Sequence, residues 1–93
     1  MQRVMHGDLT ALARHLLTVP PAQRWAACRS LITQADAADR YRKRFGRAHP
    51  HWGNGTLMAA ARRAPLPTEP PLNDPAYASC LILALTALSQ RAS

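Results

Sequence analysis

From Ala76 to Leu88 the chain runs apolar for thirteen residues, with only Ser79, Cys80 and Thr86 as softer positions, and Asp74-Pro75 stands just before it. Aspartate as N-cap and proline in the first turn are a strong helix start, so a helix is expected from Pro75 to about Gln90. It is apolar almost all round, through Tyr77, Cys80, Leu81, Ile82, Leu83, Leu85 and Leu88. Such a helix has to be covered on several sides, as the core of a bundle or at the seam of an oligomer. It falls short of the roughly 20 residues that span a bilayer, and no membrane contact is expected.

The other segments also read as helices. Leu9, Leu12, Ala13, Leu16 and Leu17 form one stripe of a helix over about 8–17, with Asp8 as its expected N-cap and Thr18-Val19-Pro20-Pro21 as its end. A long helix over 21–45 carries Trp25, Cys28, Leu31, Ile32 and Ala35 inward, continued by Ala38 and Tyr41. Asp36–Arg40 and Asp39–Lys43 are i,i+4 pairs on it, and Gly46 supplies a left-handed stop. Thr56 caps a short helix over 57–63, whose alanines 59 to 61 permit close packing. Four prolines between Ala64 and Leu72 make a stiff extended connector over 64–73. No repeat, heptad array or strand pair appears. The expectation is a single all-α domain over 1–93, a small irregular four-helix bundle with a proline-rich connector before its last helix. Its core is thin, since a chain of this size buries only about 60–65% of its unfolded surface.

Charge is the second constraint. Twelve basic residues against five acidic give a net charge of +7. Arg40, Arg42, Lys43, Arg44, Arg47, Arg62 and Arg63 lie in one acid-free stretch, and the remaining sequence balances five against five. Tyr41, Phe45 and Trp52 interleave with these cations, and His49 and His51 lie among them. Arginine beside aromatics suits an acidic protein patch or nucleic acid. A solvated helix end explains part of the same pattern, because basic residues complement a helix C-terminus. About ten residues separate the second and third helices, too many for a helix-turn-helix.

Gly53-Asn54-Gly55-Thr56 forms a glycine loop before a helix and is a candidate anion loop, although it lacks the lysine spacing of a phosphate-binding P-loop. His49-x-His51 is only half of a metal site, and Pro50 between them fits a turn better. The five acids are spread too thinly to mark a catalytic pair. Cys28 and Cys80 sit in apolar helical patterns and read as buried, unactivated thiols. Trp25 and Met58 read as core. No catalytic residue, metal or cofactor is expected. The first residues lack the apolar run of a signal peptide, and a cytoplasmic location is expected.

Ala37-Ala38-Asp39-Arg40-Tyr41-Arg42-Lys43-Arg44-Phe45-Gly46-Arg47-Ala48-His49-Pro50, then Trp52-Gly53-Asn54-Gly55-Thr56-Leu57-Met58 and the Asp74-Pro75 start, resemble a small uncharacterised family of α-proteobacterial helical proteins. The resemblance implies a compact bacterial protein and brings no activity or site residues. A regulatory role beside a larger DNA-binding or transcription protein suits such a protein. The functional expectation is a non-enzymatic adaptor that docks its face of Arg40, Tyr41, Arg42, Lys43, Arg44, Arg47, His49, His51, Trp52, Arg62 and Arg63 on an acidic partner protein. The alternative is nucleic-acid binding through the same face. Its last helix is a candidate homodimer seam.

Overall fold

The computed structural model describes residues 1–91 of the chain. Four α-helices follow one another: α1 (His6–Leu16), α2 (Arg24–Phe45), α3 (Leu57–Ala61) and α4 (Pro75–Arg91), with a single 3-10 turn at Pro21–Gln23 before α2. The all-α reading holds, and no strand occurs among the described residues beyond one bridging pair, His49 and Gly53. α1 packs on α3 and α4, and α2 packs on the same two helices. One apolar cluster joins all four, through Leu12 and Leu16, Cys28, Leu31 and Ile32, Leu57 and Ala60, and Tyr77, Cys80 and Ala84.

α1 begins two residues earlier than the sequence suggests. Asp8 is not its N-cap but sits in the first turn, where Oδ2 accepts from the Met5 backbone N–H at 2.8 Å. Oδ1 reaches across to accept from Met58 N–H at 3.0 Å, at the start of α3. One buried carboxylate thus satisfies orphan donors of two helices. At the other end, Arg24 Nε donates to the carbonyls of Leu16 and Val19, both at 2.9 Å, and closes α1.

Local signals set the remaining ends. Gly46 follows α2 at φ +71°. Thr56 Oγ1 accepts from Ala59 N–H at 3.1 Å, and Asp74 Oδ1 accepts from Tyr77 N–H at 2.9 Å. The connector is tied down: Arg14 Nε donates to the Pro67 carbonyl and the Tyr77 hydroxyl donates to Glu69, each at 2.7 Å. Burial, then the Glu69 carboxylate, push the Tyr77 hydroxyl up to about 12.

Two core expectations change. α4 buries one stripe, Tyr77, Cys80, Ala84 and Ala87, and its outer side leaves Ile82 65% and Leu85 53% exposed. The reason is the brevity of α3, which spans five residues and covers α1 and α2 rather than α4. Trp25, expected in the core, lies in the first turn of α2 with 37% of its surface exposed, and Met58 is half-buried against Gly7.

Glycine substitutions separate two effects. Gly46 has open space around a virtual Cβ, so Gly46→Ala should cost about 1 kcal/mol for its left-handed backbone alone. At Gly55, φ is +95° and a Cβ would come within 2.7 Å of the Asp39 backbone, so Gly55→Ala should cost more than about 2 kcal/mol. Asp8→Ala should cost roughly 2–4 kcal/mol by orphaning two backbone donors. Urea unfolding followed by circular dichroism measures all three.

Candidate functional site

The site is built where α2 ends and the chain turns back through 46–56. Asp39 is the buried polar residue beneath this turn, with 2% of its surface exposed. Gly55 crosses it closely, which only a residue without a side chain permits. Lys43 Nζ lies 3.1 Å and Arg42 Nη2 3.5 Å from the Asp39 carboxylate, and the Met1 ammonium reaches it at 3.3 Å. That ammonium also lies 2.7 Å from Asp36. The Asp39–Lys43 pair was legible in the sequence. The expected Asp36–Arg40 pair is replaced by a bidentate contact from Arg91, whose Nε donates to Asp36 Oδ2 at 3.0 Å. The C-terminal end of α4 brings that fork to Asp36, which a monodentate surface arginine on the same helix does not match.

Rings cluster beyond Asp39. Tyr41 lies between Phe45, centroid distance 4.6 Å, and His49, 4.8 Å. His49 stacks on Trp52 at 4.7 Å with the planes 8° apart, and His51 lies 5.8 Å from His49. His49 Nδ1 accepts from the backbone N–H groups of His51 at 3.0 Å and Trp52 at 3.1 Å. These two bonds commit His49 Nδ1 to the turn of its own loop. Phe45 is 53% exposed, with the Arg44 guanidinium over its ring at 5.4 Å.

The basic residues do not form one face. Arg42 and Arg44 stand two positions apart on a helix and so point to different sides. Arg42 and Lys43 turn inward to Asp39. Arg40 and Arg44 lie one turn apart on the outer side, and Arg47 follows the Gly46 stop; none of the three has a carboxylate partner among the described residues. Arg63 sits apart, beside Gln34 at 3.5 Å, and Arg62 is exposed.

The glycine loop is occupied by the chain itself. Asn54 Oδ1 accepts from Thr56 N–H at 3.1 Å and from the Thr56 hydroxyl at 2.8 Å. Asp8 holds Met58 N–H, Thr56 holds Ala59 N–H, and Gly53 pairs with His49 through both backbone groups. The negative charge beside this helix start is thus supplied from within, by Asp8, and the N–H groups of Gly53, Thr56, Met58 and Ala59 are engaged within the chain.

Among the described residues no three His, Cys, Asp or Glu side chains gather as a metal would need. Cys28 and Cys80 are free and buried. Burial, then the neighbouring Cys80, push the Cys28 thiol up to about 11, and burial raises Cys80 too. Two features escaped sequence reading because they join distant segments. One groove of about 330 Å³ lies among His15, Ser30, Gln34 and Arg63; burial lowers the His15 imidazole below its usual value. A second lies between α2 and α4 beside Trp25. Among the described residues no helix is long and apolar enough to cross a membrane.

These observations define a small all-helical protein whose distinctive surface is a ring cluster edged by uncompensated arginines. The chain belongs to the family described as a domain of unknown function, DUF7742, which it matches over residues 2–88. No curated protein and no solved structure matches it.

Acid should unfold the protein through Asp36 and Asp39. Burial opposes the charge on both, yet hydrogen bonds from Arg91 to Asp36, from Lys43 to Asp39 and from the Met1 ammonium to both outweigh it and hold them below the usual aspartate value of 3.8. The unfolded chain then takes up these protons more readily, so the stabilisation is complete above 3.8 and is lost as pH falls through the lower folded values. Urea midpoints should hold between about pH 7 and 5 and fall below about 4. Lys43→Met should lower stability near neutrality and flatten the acid limb.

Proposed function

We propose that this protein is a non-enzymatic adaptor, regulatory in role, that docks the outer end of α2 on an acidic partner protein. One observation carries the reading. Among the described residues none of the five carboxylates pairs with the outer end of α2: Asp8 accepts from two backbone N–H groups, Asp36 and Asp39 lie on other cations, Glu69 accepts from Tyr77, and Asp74 caps α4. Arg40, Arg44 and Arg47 around exposed Phe45 therefore have no counter-charge of their own, and an acidic surface would supply it. Phe45 gives the contact apolar area, and the cations steer the encounter.

Nucleic acid is the second reading, because arginines beside rings also suit phosphates and bases. The ring packing favours protein. His49 covers one face of Trp52, and Tyr41 lies between Phe45 and His49, so Phe45 is the most exposed of these rings for stacking on a base. Self-association through α4 would use Ile82 and Leu85, a small patch beside the ~800 Å² per partner of a standard interface. It would therefore be weak.

The test is fluorescence anisotropy with a labelled acidic peptide, short duplex DNA and single-stranded RNA at two salt concentrations. The companion variant carries Arg40→Glu, Arg44→Glu and Arg47→Glu, chosen because Arg42 and Lys43 are committed to Asp39. Peptide binding that weakens at least roughly tenfold in the variant supports the adaptor reading. Nucleic-acid binding that is tighter, falls steeply with salt and disappears in the variant would replace it.

A further inference from the structure

The groove between α2 and α4 lies at the opposite end of α2 from the ring cluster. Trp25, Arg29, Ile32, Thr33 and Asp36 line it from α2, and Ala87, Gln90 and Arg91 from α4. On α2 the lining runs from Trp25 to Asp36, three turns or about 16 Å. Ile32 and Ala87 are nearly buried and make its apolar floor, while Trp25 forms an open aromatic wall, 37% exposed. Alanine at 87 leaves the space that a leucine there would fill.

The charge along the groove has a definite sign. Its carboxylate, Asp36, is spanned by Arg91 and also touched by the Met1 ammonium. Arg29 is exposed on the rim and has no hydrogen-bond or ion-pair partner among the described residues. The groove therefore presents the Trp25 ring and a small apolar floor within a mainly polar lining, beside one uncompensated guanidinium and with its carboxylate already paired.

Size narrows the occupant. The cavity holds about 280 Å³, near the lower end of small-molecule sites. A cavity of about 150 Å³ accommodates benzene, so this volume suits about twelve heavy atoms. That is one ring or short aliphatic body with an acid group, and much less than a docking helix.

We infer that the α2–α4 groove is a binding site for a small amphiphilic carboxylate, its apolar body between Trp25, Ile32 and Ala87 and its carboxylate on Arg29. The site is independent of the adaptor surface: Arg29 and Arg44 are separated by about 22 Å of helix.

The chain's two tryptophans make the test specific, since one indole N–H lies in the first turn of α2 and the other in the loop beyond its end, and two-dimensional NMR resolves them. Trp25→Phe assigns the signals. Phenylbutyrate, with about the volume required, is titrated into the full-length protein beside phenylbutanamide, which has the same body without the charge. The expected result is a saturable shift of the Trp25 signal below about ten millimolar ligand, with Trp52 unmoved. Arg29→Glu should weaken it by at least about tenfold, Arg29→Lys by less, and the amide should bind about tenfold more weakly than the acid. Arg29 is exposed, so these variants keep the fold. Absence of a saturable Trp25 shift, equal shifts with acid and amide, or full binding by Arg29→Glu would each overturn the assignment. Failure of the acidic peptide at Arg40, Arg44 and Arg47 would leave these signals unaffected, so the two proposals fail separately.

Discussion

The crossing of Gly55 over Asp39 is the contact on which the functional end of the molecule depends. A Cβ at Gly55 would lie 2.7 Å from both the Asp39 Cα and Cβ, so the returning chain lies directly on α2. That approach needs a backbone at positive φ and a short residue beneath it. It also places the Gly55 carbonyl where Gln2 N–H donates to it at 2.9 Å, and brings the Met1 ammonium onto Asp36 and Asp39. The loop over 46–56 is therefore clamped from three sides. α2 lies below it, the N-terminal segment runs beside it, and the Asp8 bond to Met58 ends it. The ring cluster is ordered because its loop has nowhere else to go.

This closure explains how the chain manages its charge. A thin core has few apolar contacts with which to fix helix ends. The carboxylates do that work instead: Asp8 and Asp74 accept from backbone N–H groups at helix starts, and Asp36 and Asp39 gather cations from separate segments. Once Asp8 joins α1 to α3, Asp36 joins α2 to α4 and Glu69 ties the connector to Tyr77, no acid remains to offset the surface arginines. The excess of positive charge is set by the sequence, and the fold decides where the cations without a carboxylate stand.

What the sequence disclosed was whatever depends on neighbours along the chain. Thr56, Gly46 and Asp74 end or start helices through partners within four residues, and the structure places all three as read. Asp8 serves α1 from its first turn, bonding back to Met5 three residues earlier, while its other oxygen reaches Met58 fifty residues away, a partner the local sequence does not reveal. Asp36 looked like the partner of Arg40 for the same reason: Arg91, which binds it, lies fifty-five residues on. Trp25 fitted an apolar stripe, but a stripe records only which side of a helix is apolar, not how far the opposing helix covers it. The seven cations looked like one patch because they are contiguous in sequence. Helical rotation parts Arg42 from Arg44, and the placement of α3 parts Arg63 from both. Both grooves were invisible, since each is a gap left between segments that only the packing brings together.

The two ends of α2 then differ in kind. At the C-terminal end, rings pack on one another and the cations project outward around them, so the surface is convex and its contact area is small. That geometry favours a broad acidic partner, which can engage several arginines at once with little demand on shape. At the N-terminal end, the short side chain of Ala87 opposite Trp25 and Ile32 leaves a gap between α4 and α2. The concavity that results shields a ligand's apolar body from water while a single arginine selects its charge. The first surface engages several exposed cations at once and should be the more sensitive to salt; the second engages one, beside the Trp25 ring. A single rigid helix carries both, with Asp36 and Asp39 between them fixed to the rest of the fold. Binding at one end therefore meets a braced segment before it reaches the other, and the two sites have the physical means to act independently.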